Sequence, residues 1–189
     1  QMLEAFLAHR REVVTRRTIY DLRKARERAH IQEGLAVALA NVDPIIELIK
    51  QSQTRAEAKE KLMARAWQSA TVAEMLARVT VEDATKPEDL GPEFGMTPAG
   101  YKLSDAQAQA ILEMQLQRLT GLDQEKIVEE YKHLLELIAD YLDILSKPAR
   151  ITAIIAEELR AMKEQYGDKR RSEVVSHAED LALEDLITP

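Results

Sequence analysis

The 189-residue sequence contains no cysteine, which excludes disulfide bonds and thiolate metal sites within it. Aromatic residues make up only 4% of it, and glycine and proline number six each, a composition that favours helices over β-sheets. No apolar run approaches the roughly 20 residues that span a bilayer, and no signal peptide opens the sequence. These absences predict a mostly α-helical cytoplasmic protein with no membrane segment.

Motifs that carry catalysis are also missing. The sequence has no glycine-rich phosphate loop, no Gly-x-Ser-x-Gly motif and no His-Glu-x-x-His motif. No tyrosine has a neighbour that would activate it as a nucleophile. The four histidines are far apart in sequence, and we interpret them as solvated or packed structural residues: His9, His30, His133 and His177. The sequence therefore predicts no catalytic residue, no metal site and no cofactor site.

The net charge of −7 argues against a protein that coats nucleic acids, but the charge is uneven. Residues 9–30 hold eight basic and three acidic side chains, so this segment carries +5 and the remainder −12. The basic face can pair with acidic side chains of a returning helix: Glu129, Glu130, Glu157 or Glu158. Alternatively, it can contact DNA phosphates through Arg10, Arg11, Arg16, Arg17, Arg23 and Lys24. The absence of interleaved aromatic residues favours the first interpretation.

The beginning of the sequence predicts one long helix, assigned to residues 1–42. No glycine precedes Gly34, and apolar side chains repeat at heptad spacing at Phe6, Val13 and Tyr20. A neighbouring stripe follows the same period: Leu7, Val14, Thr18, Leu22, Ala25 and Ala29. This pattern is typical of an amphipathic helix with a narrow apolar seam, on the order of 60 Å long. The helix starts without a capping residue, from which we expect the chain to be part of something larger.

The middle of the sequence, residues 43–122, predicts a globular helical head. Pro44 stands at the start of a short apolar helix, and Thr54 is the predicted cap of another. Residues 85–102 form the one stretch rich in glycine and proline, which predicts an irregular loop. We interpret Trp67 as a core residue of the head.

A further helix follows the sequence Ser-Asp-Ala-Gln at residues 104–107, which predicts a capping box. Its apolar face is formed by Ala108, Ile111, Leu112, Leu116 and Leu119. Gly121 is the predicted terminator of this helix.

The most regular pattern lies in residues 123–167. Apolar residues spaced by four, three, four, three and four positions form an a/d heptad seam: Ile127, Tyr131, Leu134, Ile138, Tyr141 and Leu145. Pro148 interrupts the run and predicts a kink or the first position of a new helix after Ser146.

Two long helical segments of similar length therefore flank the head. Antiparallel pairing buries both seams, whereas each helix alone would leave many large apolar side chains in water. We predict a long antiparallel coiled-coil arm with a globular helical head at its tip. Residues 168–189 are assigned to a basic turn, a short extended piece and a tail toward neighbouring domains.

Several separate segments resemble the A-subunit family of bacterial DNA gyrase. His-Arg-Arg-Glu-Val-Val-Thr-Arg-Arg-Thr at residues 9–18 and Leu-Arg-Lys-Ala-Arg at 22–26 are similar to the family's long arm helix. Four further stretches are similar to its head, its return helix and the segment before its DNA-wrapping domain: 107–112, 116–122, 157–171 and 183–188. The topoisomerase IV A subunit shares the architecture and the Gln-Ala-x-Ala-Ile-Leu pattern.

The resemblance implies that the head is an exit gate. In this family two heads pair about a twofold axis, hold the A subunits together and open to release the transported DNA duplex. The DNA-cleaving tyrosine lies upstream in a winged-helix domain, and the ATP site is found on the other gyrase polypeptide, the B subunit. The implied partners are a second copy, the B subunit in an A2B2 holoenzyme, and double-stranded DNA. The parent enzyme is an ATP-hydrolysing type IIA topoisomerase, with ATP and Mg²⁺ bound through other domains.

On this resemblance we expect a dimer interface on the exposed side of the capped helix and the corner after it. The expected residues are Gln107, Ala110, Ile111, Met114, Gln115, Thr120, Gly121 and Leu122. The alternative, that these residues pack within one head, stays open.

Three other interpretations stay open. The chain can be the equivalent segment of the topoisomerase IV A subunit, with the same gate role. It can be a nucleic-acid-binding coiled-coil arm of another enzyme, which predicts salt-sensitive RNA binding through residues 10–28. It can also be a plain coiled-coil scaffold, in which the head is dispensable for association.

Overall fold

The computed structural model describes residues 1–68, 70, 85–114, 121–172 and 174. Within these residues the chain is mostly helical, with six helices and three short strands, so the mostly α fold class is confirmed. In chain order the elements are α1 (Met2–Ala40), α2 (Val42–Lys50), α3 (Arg55–Ala64), β1 (Ala66–Trp67), β2 (Gly95–Thr97), β3 (Gly100–Lys102), α4 (Asp105–Glu113), α5 (Gly121–Ser146) and α6 (Pro148–Tyr166). None of these helices is both long and apolar enough to cross a membrane.

Helix α1 is the single long helix that the sequence predicts, and its 39 residues span about 58 Å. Its buried side follows the stripe of smaller residues: Val14, Thr18, Leu22, Ala25 and Ala29. The heptad series is not the buried seam, because Phe6 and Tyr20 are 43% and 60% exposed. Small side chains such as Ala25 and Ala29 let a neighbouring helix approach closely, and the larger residues therefore come from that neighbour.

Helices α5 and α6 lie antiparallel against α1. At one end Tyr131 of α5 faces Glu33 of α1, and toward the other end Glu158 of α6 forms an ion pair with Arg10. An apolar cluster lies between α1 and α5, formed by Leu22, Ala25, Ala29, Tyr131, Leu134, Leu135 and Ile138. Burying each large apolar side chain stabilises the pair by about 1.5–3 kcal/mol.

The helical run is interrupted between α5 and α6 at the position that the sequence predicts. Helix α5 ends at Ser146, and Pro148 lies in the first turn of α6. Proline is tolerated there because the first N–H groups of a helix have no intrahelical partner. The residue before a proline is disfavoured in the helical conformation, and Lys147 is accordingly extended, with φ −124° and ψ 102°.

A small antiparallel sheet occupies part of the stretch predicted as an irregular loop, so that prediction is wrong for its second half. Strands β2 and β3 form a hairpin, and β1 pairs with the other edge of β3, with Trp67 opposite Tyr101. Gly95 and Gly100 have φ angles of 93° and 127°, which L side chains rarely adopt. The two glycines that suggested a loop are therefore requirements of a tight hairpin.

Helix α4 begins with the predicted capping box. The Ser104 Oγ accepts a hydrogen bond from the Gln107 backbone N–H, and the Gln107 side chain accepts one from the Ser104 N–H. The two bonds satisfy backbone donors that the first turn of a helix otherwise leaves unpaired. The predicted start of this helix is confirmed.

The predicted end of α4 is wrong. The helix ends at Glu113, because Met114 leaves the helical region with φ −64° and ψ 127°. Gly121 does not terminate a helix, since it is the first residue of α5. The two apolar residues expected on the continuation of α4, Leu116 and Leu119, lie outside the described residues.

A second apolar core forms where the end of α1 meets the short elements. Its buried members are Leu35, Ala36, Val37, Ala38, Ile45, Leu62, Trp67, Tyr101, Leu103, Ala108, Ile111 and Ile127. The indole N–H of Trp67 donates to the Leu62 carbonyl at 2.9 Å, and the residue is 2% exposed. Trp67 is therefore a core residue, as predicted.

Candidate functional site

An apolar depression lies on the surface where α1, α2 and α4 meet. It has a volume of about 70 Å³ and is lined by Ala38, Val42, Ile45, Ile46, Ile49, Ile111 and Met114. The sequence of α2 explains it, because Ile45 points into the core whereas Ile46 and Ile49 stay partly exposed. A concave apolar surface of this kind suits an apolar partner surface better than a charged ligand.

The structure separates the predicted interface residues into three groups. Ala110 on α4 and Met114, which directly follows α4, are partly exposed, and Met114 lines the depression. Gln107 and Ile111 are buried, 0% and 4% exposed, so neither side chain lies on the exposed side where we expected it. Gln115 and Thr120 lie outside the described residues. Gly121 and Leu122 open α5, but whether they are buried or exposed lies outside what the structure describes.

Gln107 is buried because its side-chain amide bonds to several groups in the interior. Its Nε2 lies 2.7 Å from the Tyr101 hydroxyl, 2.7 Å from the His30 carbonyl and 3.2 Å from His30 Nδ1. The capping box accounts only for the bond from the Ser104 N–H to Gln107 Oε1, which a glutamine can also make at the surface. The burial of Gln107 goes with the contacts of its Nε2 with His30 and Tyr101.

The His30 ring completes this buried network. His30 Nε2 lies 2.7 Å from Ser104 Oγ, while Nδ1 faces the side-chain NH2 group of Gln107, which can only donate. Nδ1 therefore accepts, and Nε2 carries the proton and donates to the serine. Burial, followed by the charge of Lys86, lowers the pKa of His30 to about 4, so the ring is neutral at pH 7. His30 is a packed structural histidine, as the sequence analysis predicts.

The basic face of α1 contacts α6 at two arginines. Arg17 Nη2 donates to Glu158 Oε1 at 2.6 Å, and Arg10 Nη2 donates to the other oxygen of the same carboxylate. The hydrogen bond from Arg17, assisted by the charge of Arg10, lowers the pKa of Glu158 below its ordinary value. Among the four acidic partners considered for the basic face, Glu158 is the one observed in these contacts.

The other predicted DNA-facing residues have local partners. Arg16 bonds to Glu12 at 2.6 Å and Lys24 to Glu27 at 2.8 Å, both along the same helix. Arg23 lies 3.6 Å from Glu88, which precedes the hairpin. Arg11 is exposed and has no carboxylate partner among the described residues. Much of the basic face is therefore neutralised within the chain, and its contact with DNA stays a prediction.

The described part of the chain contains no group of three or more histidine, aspartate or glutamate side chains placed to hold a metal ion. Its two most perturbed tyrosines are packed in the interior. Burial raises the pKa of Tyr101 and Tyr131 well above the ordinary value, which makes a phenolate nucleophile at either position unfavourable.

Comparison with known proteins gives a consistent family. The family profile of the DNA gyrase/topoisomerase IV A subunit matches residues 1–160. The DNA gyrase A subunit of Pseudomonas aeruginosa is 57% identical over 187 residues, which cover 99% of this chain and 20% of that protein. The DNA gyrase A subunit of Escherichia coli is 57% identical and that of Haemophilus influenzae 46%, each over 99% of this chain and 21% of its own length.

The chain spans about a fifth of the length of the curated relatives that it matches. The match is continuous over nearly the whole chain, and it includes both the long α1 and the capped α4. The chain therefore belongs to the A-subunit family of DNA gyrase and topoisomerase IV.

Proposed function

We propose that this chain is the exit-gate dimerisation segment of a DNA gyrase A subunit. In this proposal α1 pairs with α5 and α6 as a long coiled-coil arm, and the remaining elements form a head at its tip. Two heads associate about a twofold axis, hold two A subunits together and separate to release the transported duplex. The segment itself is mechanical and non-catalytic.

The observation that carries the proposal is the apolar depression beside α4, in a chain of this family. Ile46, Ile49 and Met114 leave apolar surface partly exposed there. Two of the lining residues, Ile111 and Met114, are among those expected at the interface on resemblance. Specific dimers bury on the order of 800 Å² per partner, so the depression can only be the centre of a larger contact.

Two ion pairs join α3 to the two ends of α4, the helix whose C-terminal end borders the depression, and suit the rim of an interface. Arg55 on α3 bonds to Glu113 on α4 at 2.9 Å, and Lys59 bonds to Asp105 at 2.7 Å. An apolar centre with a charged, solvated rim is the common anatomy of protein interfaces. A contact of this type can also separate in each cycle, since a modest apolar centre limits its strength.

The parent enzyme in this proposal is a bacterial type IIA topoisomerase that introduces negative supercoils. Its other partners are the gyrase B subunit, in an A2B2 assembly, and double-stranded DNA. ATP and Mg²⁺ act through other parts of the holoenzyme. The topoisomerase IV A subunit is the alternative parent, and the relatives named as DNA gyrase A subunits favour the first assignment.

Replacing Met114 by aspartate tests the interface. A charge at the centre of an apolar contact loses solvation without gaining a partner, so we expect the dimer dissociation constant to rise at least about tenfold. Sedimentation equilibrium over a range of concentrations measures this constant. The matched control is Met162→Asp, on the 54% exposed Met162 of α6, which is expected to leave the constant unchanged.

Equal dissociation constants for the wild type and Met114→Asp would contradict the assigned surface. A larger effect of Met162→Asp would place self-association on the arm instead of the head. In the complete A2B2 enzyme, Met114→Asp is expected to lower supercoiling on dilution, because weakened heads let the A subunits part.

A further inference from the structure

A buried carboxyl group lies where the end of α1 meets α5 and the sheet. Glu33 is 3% exposed, and its Oε2 accepts a hydrogen bond from the Thr85 hydroxyl at 2.8 Å. The hydroxyls of Tyr101 on β3 and Tyr131 on α5 also face it. One carboxyl group therefore stands among α1, β3, α5 and the segment that contains Thr85.

Among the described residues, the groups that act on Glu33 are neutral. Thr85, Tyr101 and Tyr131 offer hydroxyls, and none of the three is ionised at pH 7. His30, one turn earlier on α1, is neutral, and Lys86 faces the His30 ring. No cation among the described residues is seen to act on Glu33, so an ionised carboxylate at this depth would lose hydration without an opposite charge from them to offset the loss.

One hydroxyl oxygen near Glu33, that of Tyr131, receives no hydrogen bond of ordinary geometry from the described residues. The Tyr101 oxygen accepts from the Gln107 amide at 2.7 Å, so its proton is free to point at the carboxyl. The Tyr131 oxygen is buried and makes no hydrogen bond of ordinary geometry among the described residues, although it lies close enough to Glu33 to act on its pKa. A carboxylate can only accept hydrogen bonds, whereas a protonated carboxyl can also donate one to such an oxygen.

We propose that Glu33 is a neutral carboxylic acid in the folded protein at pH 7 and acts as a proton-dependent latch that joins α1 to α5 and the sheet. With this proton, the Glu33 side chain can accept a hydrogen bond from the Thr85 hydroxyl and donate one to a tyrosine oxygen. Loss of the proton places an unpaired negative charge in the interior and loosens the junction. This inference concerns the fold of one chain and is independent of the exit-gate proposal.

The direction of the pH effect follows from burial, which raises the pKa of Glu33 above its ordinary value. Between the unfolded pKa of 4.5 and the folded pKa, the unfolded chain releases this proton while the folded chain keeps it. Stability that is present below 4.5 is therefore lost as pH rises through this window, and the loss ends above the folded pKa. The slope for one proton is about tenfold in the folding equilibrium constant per pH unit.

The most direct test observes the carboxyl carbon itself. Wild-type protein labelled with ¹³C at the glutamate side-chain carboxyls is titrated by NMR from about pH 3 to about pH 10, a range that begins below the ordinary carboxyl pKa and extends well above it. We expect one resonance to stay at the protonated position through pH 7, and this resonance to be absent from Glu33→Gln. Titration of every glutamate near the ordinary value would overturn the proposal, and this outcome needs no variant.

Glu33→Gln supplies the second measurement, because an amide accepts and donates as the neutral acid does. Amide hydrogen exchange in α1 and β3, corrected for intrinsic base catalysis, is expected to accelerate with pH above 6 in the wild type and not in the variant. His30 is neutral throughout that range, so it does not contribute. The control is Glu130→Gln at an exposed carboxyl, which is expected to behave as the wild type. Equal pH dependence in the wild type and Glu33→Gln would contradict the latch.

Discussion

Replacing Trp67 by alanine is expected to lower the free energy of unfolding by about 3–5 kcal/mol. The indole is 2% exposed and fills the core between α3, the sheet and the end of α1. The substitution leaves a cavity and also removes the hydrogen bond to the Leu62 carbonyl. Urea unfolding followed by circular dichroism measures the change, since the substitution removes the only tryptophan.

The matched control for this prediction is Phe6→Ala. Phe6 is also aromatic, but it is 43% exposed near the start of α1, so its truncation is expected to cost less than about 1 kcal/mol. Similar losses for the two variants would show that Trp67 does not anchor the core. The relative cost of Trp67→Ala therefore tests the position of the core independently of any partner.

Replacing Gly34 by alanine is expected to destabilise the chain by about 2 kcal/mol, although alanine is the better helix former. A Cβ at this position would lie 2.6–2.9 Å from three side-chain carbons of Gln107, so that side chain must move. Gln107 is held by a buried network, and displacing it costs about 1–3 kcal/mol for overpacking and a similar amount for lost hydrogen bonds. The gain in helix propensity is only about 1 kcal/mol.

A double-mutant cycle isolates this contact. Gln107→Ala removes Cγ and Cδ, two of the three close contacts, but keeps the Cβ that would lie 2.8 Å from the new methyl group. Gly34→Ala is therefore expected to destabilise the protein less in the Gln107→Ala background than in the wild type, as measured by chemical unfolding. An equal loss of stability in both backgrounds would show that the Gln107 side chain is not what excludes a methyl group at position 34.

The sequence predicts most of the helical structure because each helix carries a local signal. The capping box at Ser104, the cap at Thr54 and the break at Pro148 involve residues within four positions of one another, so no tertiary information is needed. The heptad series on α5 is equally explicit, with Tyr131 and Ile138 both 0% exposed. Sequence reasoning is reliable where the chemistry is local.

The buried face of α1 could not be chosen from the sequence. Two neighbouring stripes have the same period, and the larger side chains of Phe6 and Tyr20 suggest the wrong one. The opposing helix determines which stripe of α1 is buried, because the large residues of α5 fill the space that Ala25 and Ala29 leave. The buried face of α1 therefore depends on both helices.

The small sheet and the polar network are non-local in the same sense. Strands of two or three residues are too short for an alternating pattern, and Trp67 pairs with Tyr101 more than thirty positions away. Gln107 meets His30 across an even longer interval. Of the residues expected at an interface, Ala110 and Met114 are partly exposed, whereas Gln107 is buried by contacts that no local pattern announces.

The central claim, that two copies associate through their heads, is tested most directly by intermolecular distances. The sequence has no cysteine, so single spin labels can be attached at Lys50→Cys in the head and at Ala8→Cys near the start of α1, both exposed positions. Double electron–electron resonance on each variant should show an intermolecular distance that is clearly shorter for position 50 than for position 8. No intermolecular signal at position 50, or a shorter distance at position 8, would contradict dimerisation through the head.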